Sequence, residues 1–344
     1  MKPIRVLIVD DSPTVQAVLT NILSGVSDIE VVGTASDPFE AKDLILKEMP
    51  DVITLDVEMP RMDGITFLKR LMSFRPLPVI MISSYTRDNS VRTMEALDAG
   101  ALDFVAKPRR DLKAGLEDLK FEITTKIRAA ARAKIRPSPQ FGKSEKPVIA
   151  ALTEPSDKII AIGASTGGTR AIQRVLGLLP SNVNGIVIVQ HMPARFTKTF
   201  AQHLDEVCEM DVKEAEDGDR VDTGRVLVAP GGWHLEIAMD QNGYYVHLQD
   251  GQPVNYQRPS VDVLFHSVAQ TAGHNSVGIL LTGMGNDGSE GLLAMKEVGA
   301  LTIAQDESTS VVFGMPGSAI ERGAAEVVAR LDDIADVVLS ALRK

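Results

Sequence analysis

Short aliphatic runs alternate with helix-period stretches along the chain; the alternation then breaks off and begins again. The first series is Val6-Leu7-Ile8-Val9, Glu30-Val31-Val32-Gly33, Val52-Ile53-Thr54-Leu55, Val79-Ile80-Met81-Ile82 and Phe104-Val105-Ala106. Runs this short and this apolar read as strands buried on both faces, and strands that alternate with helices build a parallel sheet. The second series is Lys158-Ile159-Ile160-Ala161-Ile162, Gly185-Ile186-Val187-Ile188-Val189, Arg225-Val226-Leu227-Val228-Ala229, Val277-Gly278-Ile279-Leu280-Leu281 and Leu301-Thr302-Ile303-Ala304. Between the two, a helix over residues 112–132 passes from Ile135 onward into Arg136-Pro137-Ser138-Pro139-Gln140 and Thr153-Glu154-Pro155-Ser156-Asp157, rich in proline and charge and without period. That composition is a linker. The spacing predicts a first domain over residues 1–125, a linker over 126–156 and a second domain over 157–344. Residues 234–249 depart from the pattern and read as an antiparallel hairpin, with Gln241-Asn242-Gly243 supplying the positive φ angles of a tight turn.

Bulk properties narrow the function classes. A chain of 344 residues exceeds one ordinary core and suits two α/β domains. Its net charge of −10 disfavours nucleic acid, whose phosphates call for clustered lysine and arginine. The basic stretch 126–136 reads as a helix end favoured by positive charge. A single cysteine, Cys208, rules out an internal disulfide framework and fits a reducing compartment; at the end of an amphipathic helix, without a basic neighbour, it reads as structural. No apolar run reaches membrane-spanning length and the start carries no secretory signal, so a cytoplasmic protein that is not membrane-inserted is expected.

Ligands of an open parallel sheet sit beyond the carboxyl ends of its strands. Asp10 and Asp11 end the first strand and Asp56 the third; three clustered carboxylates repel one another unless a hard cation such as Mg²⁺ neutralises them. Ser83 ends the fourth strand and Lys107 the fifth, a hydroxyl and an ammonium suited to a phosphoryl group on Asp56. Singly, these residues are helix caps and surface charges; their joint placement at successive strand ends is not explained that way. Val9-Asp10-Asp11-Ser12, Leu55-Asp56-Val57-Glu58-Met59-Pro60, Met62-Asp63-Gly64, Ser83 and Lys107-Pro108 together resemble the response-regulator receiver family over about residues 1–125. The resemblance implies phosphorylation of Asp56 by a histidine kinase as phosphodonor. It also implies Mg²⁺ held by Asp11, Asp56 and the Glu58 main-chain carbonyl with Asp10 assisting, and a switch that moves Ser83 and Phe104. Phe104 stands where many members carry tyrosine.

In the second domain Gly163-Ala164-Ser165-Thr166-Gly167 follows a strand and precedes a helix, with the G-x-S-x-G spacing of a nucleophile elbow. The same loop also reads as a phosphate-binding glycine loop or as a plain N-cap. His191 follows the next strand, the one histidine of six in such a position, and is a candidate general base. Leu281-Thr282-Gly283-Met284-Gly285-Asn286-Asp287-Gly288 again follows a strand; Asp287 can orient His191, with Asp306 as the competing carboxylate. These motifs resemble the chemotaxis receptor methylesterase family over residues 157–344. The resemblance implies hydrolysis of glutamate γ-methyl esters on methyl-accepting chemoreceptors, with deamidation of receptor glutamines as a second activity. In it Ser165 is the nucleophile, His191 the base, Asp287 its partner and the Met284 amide an oxyanion donor, with Thr166 in support. The expected architecture is therefore two doubly wound parallel-sheet α/β domains, a flavodoxin-like receiver with Mg²⁺ and a Rossmann-like hydrolase without a cofactor. The alternative is a response regulator whose output domain binds a ligand or partner without catalysis.

Overall fold

The computed structural model describes residues 2–84, 86–107, 116–133 and 157–343. Pro108, the start of the helix expected from residue 112 and the linker sequence 135–156 lie outside the described residues. Two compact units are present, Met1–Phe141 and Gly142–Lys344.

The first unit runs β1 (Ile4–Val9), α1 (Pro13–Ser24), β2 (Ile29–Ala35), α2 (Pro38–Glu48), β3 (Val52–Asp56), α3 (Gly64–Phe74), β4 (Val79–Ser83), α4 (Arg87–Asp98), β5 (Asp103–Ala106) and α5 (Leu116–Arg132). All five strands are parallel, in the order β2-β1-β3-β4-β5, the flavodoxin-like order expected. Helix starts follow local chemistry: Asp37 accepts from Phe39 N and Glu40 N ahead of Pro38 at the head of α2, and Asp63 caps α3 the same way. Val6, Ile8, Leu23, Ile80, Ile123 and Ile127 form the core under one face. Because Ile127, Ala129 and Ala130 are buried, α5 continues through residues 126–132, which the sequence assigns to the linker.

The second unit runs β6 (Ile159–Ala164), α6 (Gly168–Leu176), β7 (Ile186–Gln190), α7 (Phe196–Val207), β8 (Asp211–Glu214), β9 (Arg225–Val228), β10 (His234–Asp240), β11 (Gly243–Gln249), α8 (Val261–Thr271), β12 (Ser276–Leu280), α9 (Ser289–Glu297), β13 (Leu301–Gln305), α10 (Met315–Glu321), β14 (Val327–Ala329) and α11 (Ile334–Leu342). Seven parallel strands are ordered β14-β13-β12-β6-β7-β9-β8. The edge strands β8 and β14 were not read from the sequence, since short edge strands need no continuous apolar run. The hairpin β10–β11 is present, but its turn differs from the expectation. Asp240 pairs with Gly243, so Gln241-Asn242 form the loop and positive φ falls on Gly243 alone, at 106°. It packs on α8, where Ser267 Oγ accepts from Ile237 N at 2.9 Å. Cys208 follows α7 as its C-cap and is half-buried.

Strand β6 lies between β7 and β12, which the chain reaches in opposite directions along the sheet. Such a reversal opens a crevice at the carboxyl ends of the strands.

Candidate active site

The crevice beyond β6, β7 and β12 receives all three residues singled out in the second domain. Ala164 pairs with Gln190, so Ser165 and His191 leave adjacent strands at the same level, and His191 N donates to Ala164 O at 3.1 Å. On the other flank Ser165 N donates to Thr282 O at 3.0 Å, which fastens the elbow to the glycine-rich loop after β12. Gly283 has to be glycine: a Cβ there would lie 2.7 Å from Ser165 Cβ and would also strike Met315 Sδ. Ser165 is half-buried, and its Oγ makes no hydrogen bond among the described residues.

From that loop Asp287 reaches across to His191, with Oδ2 2.7 Å from Nε2. The proton on Nε2 is therefore committed to the carboxylate, an assignment by partner. His191 Nδ1 is buried and has no partner among the described residues, which leaves it as the nitrogen able to take a proton. The competing Asp306 is turned elsewhere: its Oδ1 accepts from Thr309 N at 3.0 Å and its Oδ2 from Ser308 Oγ at 2.5 Å.

Asp287 is 2% exposed, and burial on its own would make its carboxyl a weaker acid. Hydrogen bonds from His191, Asn255 and Ser260 outweigh burial and hold the group well below the usual carboxylate range. The donors come from the start of α8: Ser260 Oγ at 2.7 Å and Asp262 N at 3.3 Å on Oδ1, and Val261 N at 2.7 Å on Oδ2. Asn255 Nδ2 adds a bond to Oδ1 at 2.9 Å. An ionised carboxylate at a helix N-terminus is electrostatically favoured. None of these donors was singled out in the sequence, and the one local signal was Ser260 immediately before an apolar helical run.

Gln190, the last residue of β7, was also missed. It is 3% exposed, and its Nε2 donates to Ser165 O at 3.0 Å and His191 O at 3.2 Å, linking the peptides of both residues. Met284 is half-buried at the crevice, and its amide donates to no backbone carbonyl among the described residues. Thr166 is buried, and its carbonyl accepts from Thr282 Oγ1 at 3.1 Å.

In the first unit Asp10, Asp11 and Asp56 bring carboxylate oxygens within 4.8 Å of one another. Lys107 Nζ sits 2.7 Å from Asp56 Oδ2 and 3.0 Å from Asp10 Oδ2. Burial, and then repulsion from Asp10, push the Asp56 acid up to about 6 despite that ammonium. One lysine thus under-compensates three carboxylates, and an oxygen-seeking divalent cation fits the donor set. Glu58 turns its side chain outward toward Arg92 at 3.7 Å, leaving only its main chain for such an ion. Ser83, buried at the end of β4, turns its hydroxyl toward α4. A buried hydroxyl needs a partner, and Ser83 Oγ has one in α4, accepting from Thr93 Oγ1 at 2.8 Å. Phe104 is buried in β5 with Lys126 Nζ 5.1 Å from its ring centre.

Fold and sites together define a two-unit α/β protein: an aspartate-centred receiver, and a doubly wound unit presenting serine, histidine and aspartate at one crevice. Residues 160–338 match the CheB methylesterase family, and residues 6–117 match the response regulator receiver domain. The chain is 51% identical over 343 residues, 99% of its length and 98% of the relative's, to a protein from Bordetella bronchiseptica named protein-glutamate methylesterase/protein-glutamine glutaminase. A Salmonella typhimurium protein of the same name is 50% identical over 346 residues, covering 99% of this chain and 97% of that protein. The crystal structure of the Thermotoga maritima CheB methylesterase catalytic domain is 41% identical with a TM-score of 0.53, covering 54% of this chain and 99% of that one. The chain belongs to the CheB methylesterase family, in the form that carries a response-regulator receiver.

Proposed function

We propose that this chain hydrolyses glutamate γ-methyl esters on methyl-accepting chemoreceptors, and deamidates receptor glutamines, under control of phosphorylation at Asp56. The relatives' names, their coverage of the full chain and the receiver in front support this reading. It places the protein in the cytoplasm with a histidine kinase as phosphodonor; among the described residues no helix is long and apolar enough to cross a membrane.

Ser165 Oγ attacks the ester carbonyl while His191 Nδ1 takes its proton, and the Met284 amide receives the developing oxyanion. Collapse of the tetrahedral adduct expels methanol, which leaves with the proton from His191, and an acyl ester remains on Ser165. Water, deprotonated by His191, then releases the glutamate carboxylate and restores Ser165. With a glutamine side chain the same steps release ammonia. Asp287 stays ionised and offsets the charge on the imidazolium. The 2.7 Å bond between His191 Nε2 and Asp287 Oδ2, beside a partner-free Nδ1, is the observation that carries this assignment.

In the receiver, Asp11, Asp56 and the Glu58 carbonyl would hold Mg²⁺, with Asp10 in support. When bound, the ion neutralises charge on the incoming phosphoryl oxygens. Lys107, already on Asp56, would hold one of those oxygens, and Ser83 would exchange Thr93 for another. The test is ester hydrolysis by Ser165→Ala: loss of turnover with an unchanged fold supports the reading, and retained turnover contradicts it.

A further inference from the structure

Residues 254–257 form a tight reversal closed by Val254 N to Gln257 O at 3.0 Å and Gln257 N to Val254 O at 2.8 Å. Its two central residues, Asn255 and Tyr256, are both left-handed, with φ of 51° and 63°. Asparagine tolerates that region, so turn geometry alone would account for Asn255. Its side chain does something the turn does not require. Nδ2 donates to Asp287 Oδ1 at 2.9 Å and to Asp262 Oδ2 at 2.8 Å. The two carboxylates are 2% and 4% exposed. Asp262 also accepts from backbone amides, Gly291 N at 2.7 Å on Oδ1 and Gly288 N. Burial first, and repulsion from Asp287 as well, work against its ionised form.

A primary amide nitrogen has two hydrogens and no charge. Here each hydrogen serves one of two mutually repelling carboxylates, and one of the two is the partner of His191. Among the described residues, no other hydrogen-bond donor at this site reaches both side-chain carboxylates. An aspartate at 255 would add a third negative charge, whereas glycine would keep the turn and lose the bridge.

We propose that Asn255 is a positioning residue for the hydrolytic reaction, its side-chain amide bridging Asp287 and Asp262 so that Asp287 is aimed at His191. The proposal rests on the reading that Ser165, His191 and Asp287 carry out the chemistry. A 1 Å displacement of a supporting group can cost two orders of magnitude in rate (about 10²-fold), so the loss should appear in turnover and not in substrate binding.

The test compares full-length wild type, Ser165→Ala, Asn255→Gly and Asn255→Asp in methanol release from methylated receptor membranes, with kcat and KM resolved. Glycine accepts the left-handed turn, so Asn255→Gly should still fold cooperatively, with a thermal midpoint lowered modestly by the loss of two donors to buried carboxylates. It should lower kcat about tenfold or more, with KM within about twofold. Asn255→Asp should be slower still near pH 8. Its activity relative to wild type should rise toward about pH 6, as protonation at 255 restores one donor toward Asp287 and Asp262, the carboxylates that also face His191 and His266. Wild-type kcat in Asn255→Gly, or a wild-type pH profile in Asn255→Asp, overturns the bridge while Ser165→Ala remains inactive. Turnover retained in Ser165→Ala overturns the bridge and the catalytic reading beneath it.

Discussion

At the residue scale, Asp287 and Asp56 are two buried carboxylates driven in opposite directions by their neighbours. Asp287 collects donors from the start of α8 and from His191, so its acid is held low, whereas Asp56 faces Asp10 and is pushed up to about 6. The sign for Asp287 is that its ionised form contributes stability above the unfolded carboxylate value, about 4, lost only in stronger acid. Near neutral pH it therefore remains charged, and Asp287→Asn should lower kcat by about 10³ to 10⁴-fold, as loss of an orienting carboxylate does in other serine hydrolases. For Asp56 the sign reverses: the folded state holds the proton more tightly, so receiver stability falls as pH rises from about 4 to about 6 and stays reduced above. Asp56→Asn should flatten this dependence and stabilise the receiver by on the order of 1–3 kcal/mol near pH 7.5, read from its melting transition. Mg²⁺ should raise the wild-type midpoint and leave that of Asp56→Asn nearly unchanged. Asp10, Asp56, Lys107, Ser165 and His191 were legible in the sequence because each lies at or just beyond the end of an apolar run, and Asp287 because it lies in a glycine-rich loop that follows one. Gln190, Asn255 and Ser260 were not, because their roles arise where a side chain crosses from one element to another.

Among elements, the parallel cores were legible and the edges were not. Buried strand β6 is continuously apolar and β12 is so from Val277 onward, but β8 offers Val212 alone to the core and β14 has three residues. Helix α5 shows how charge misleads. Lys126 reads as the beginning of a basic helix end, yet its side chain lies inward, pairing with Asp103 at 3.1 Å and Glu122 at 3.0 Å and donating to Phe104 O at 2.5 Å. Burial opposes its charge, but those two acids more than offset burial and hold it protonated. Lys126→Ala removes the cation beside the buried Asp103, which keeps the Phe104 amide as a donor, and should destabilise the receiver by about 2–4 kcal/mol in urea unfolding. Helix α3 carries a stricter constraint at Gly64, where any Cβ would fall inside the Asp56 carbonyl oxygen. Gly64→Ala should cost on the order of 3 kcal/mol and move the loop that carries Asp56, lowering the rate of phosphoryl uptake from a small phosphodonor.

For the whole molecule, two sheets of the same parallel kind present unlike chemistry at the carboxyl ends of their strands: carboxylates and a lysine in one unit, hydroxyl, imidazole and carboxylate in the other. The sequence carries the reason for both, since each reactive group follows a strand that the core fixes. Fusion of the two makes sense if the state of Asp56 sets the rate at Ser165. Methanol release from methylated receptor membranes, measured with and without a small phosphodonor, tests that link most directly. Wild type should accelerate with the phosphodonor, Asp56→Asn should keep a low unresponsive rate, and Ser165→Ala should release no methanol in either condition. Equal acceleration in Asp56→Asn, or methanol release by Ser165→Ala, would contradict the account.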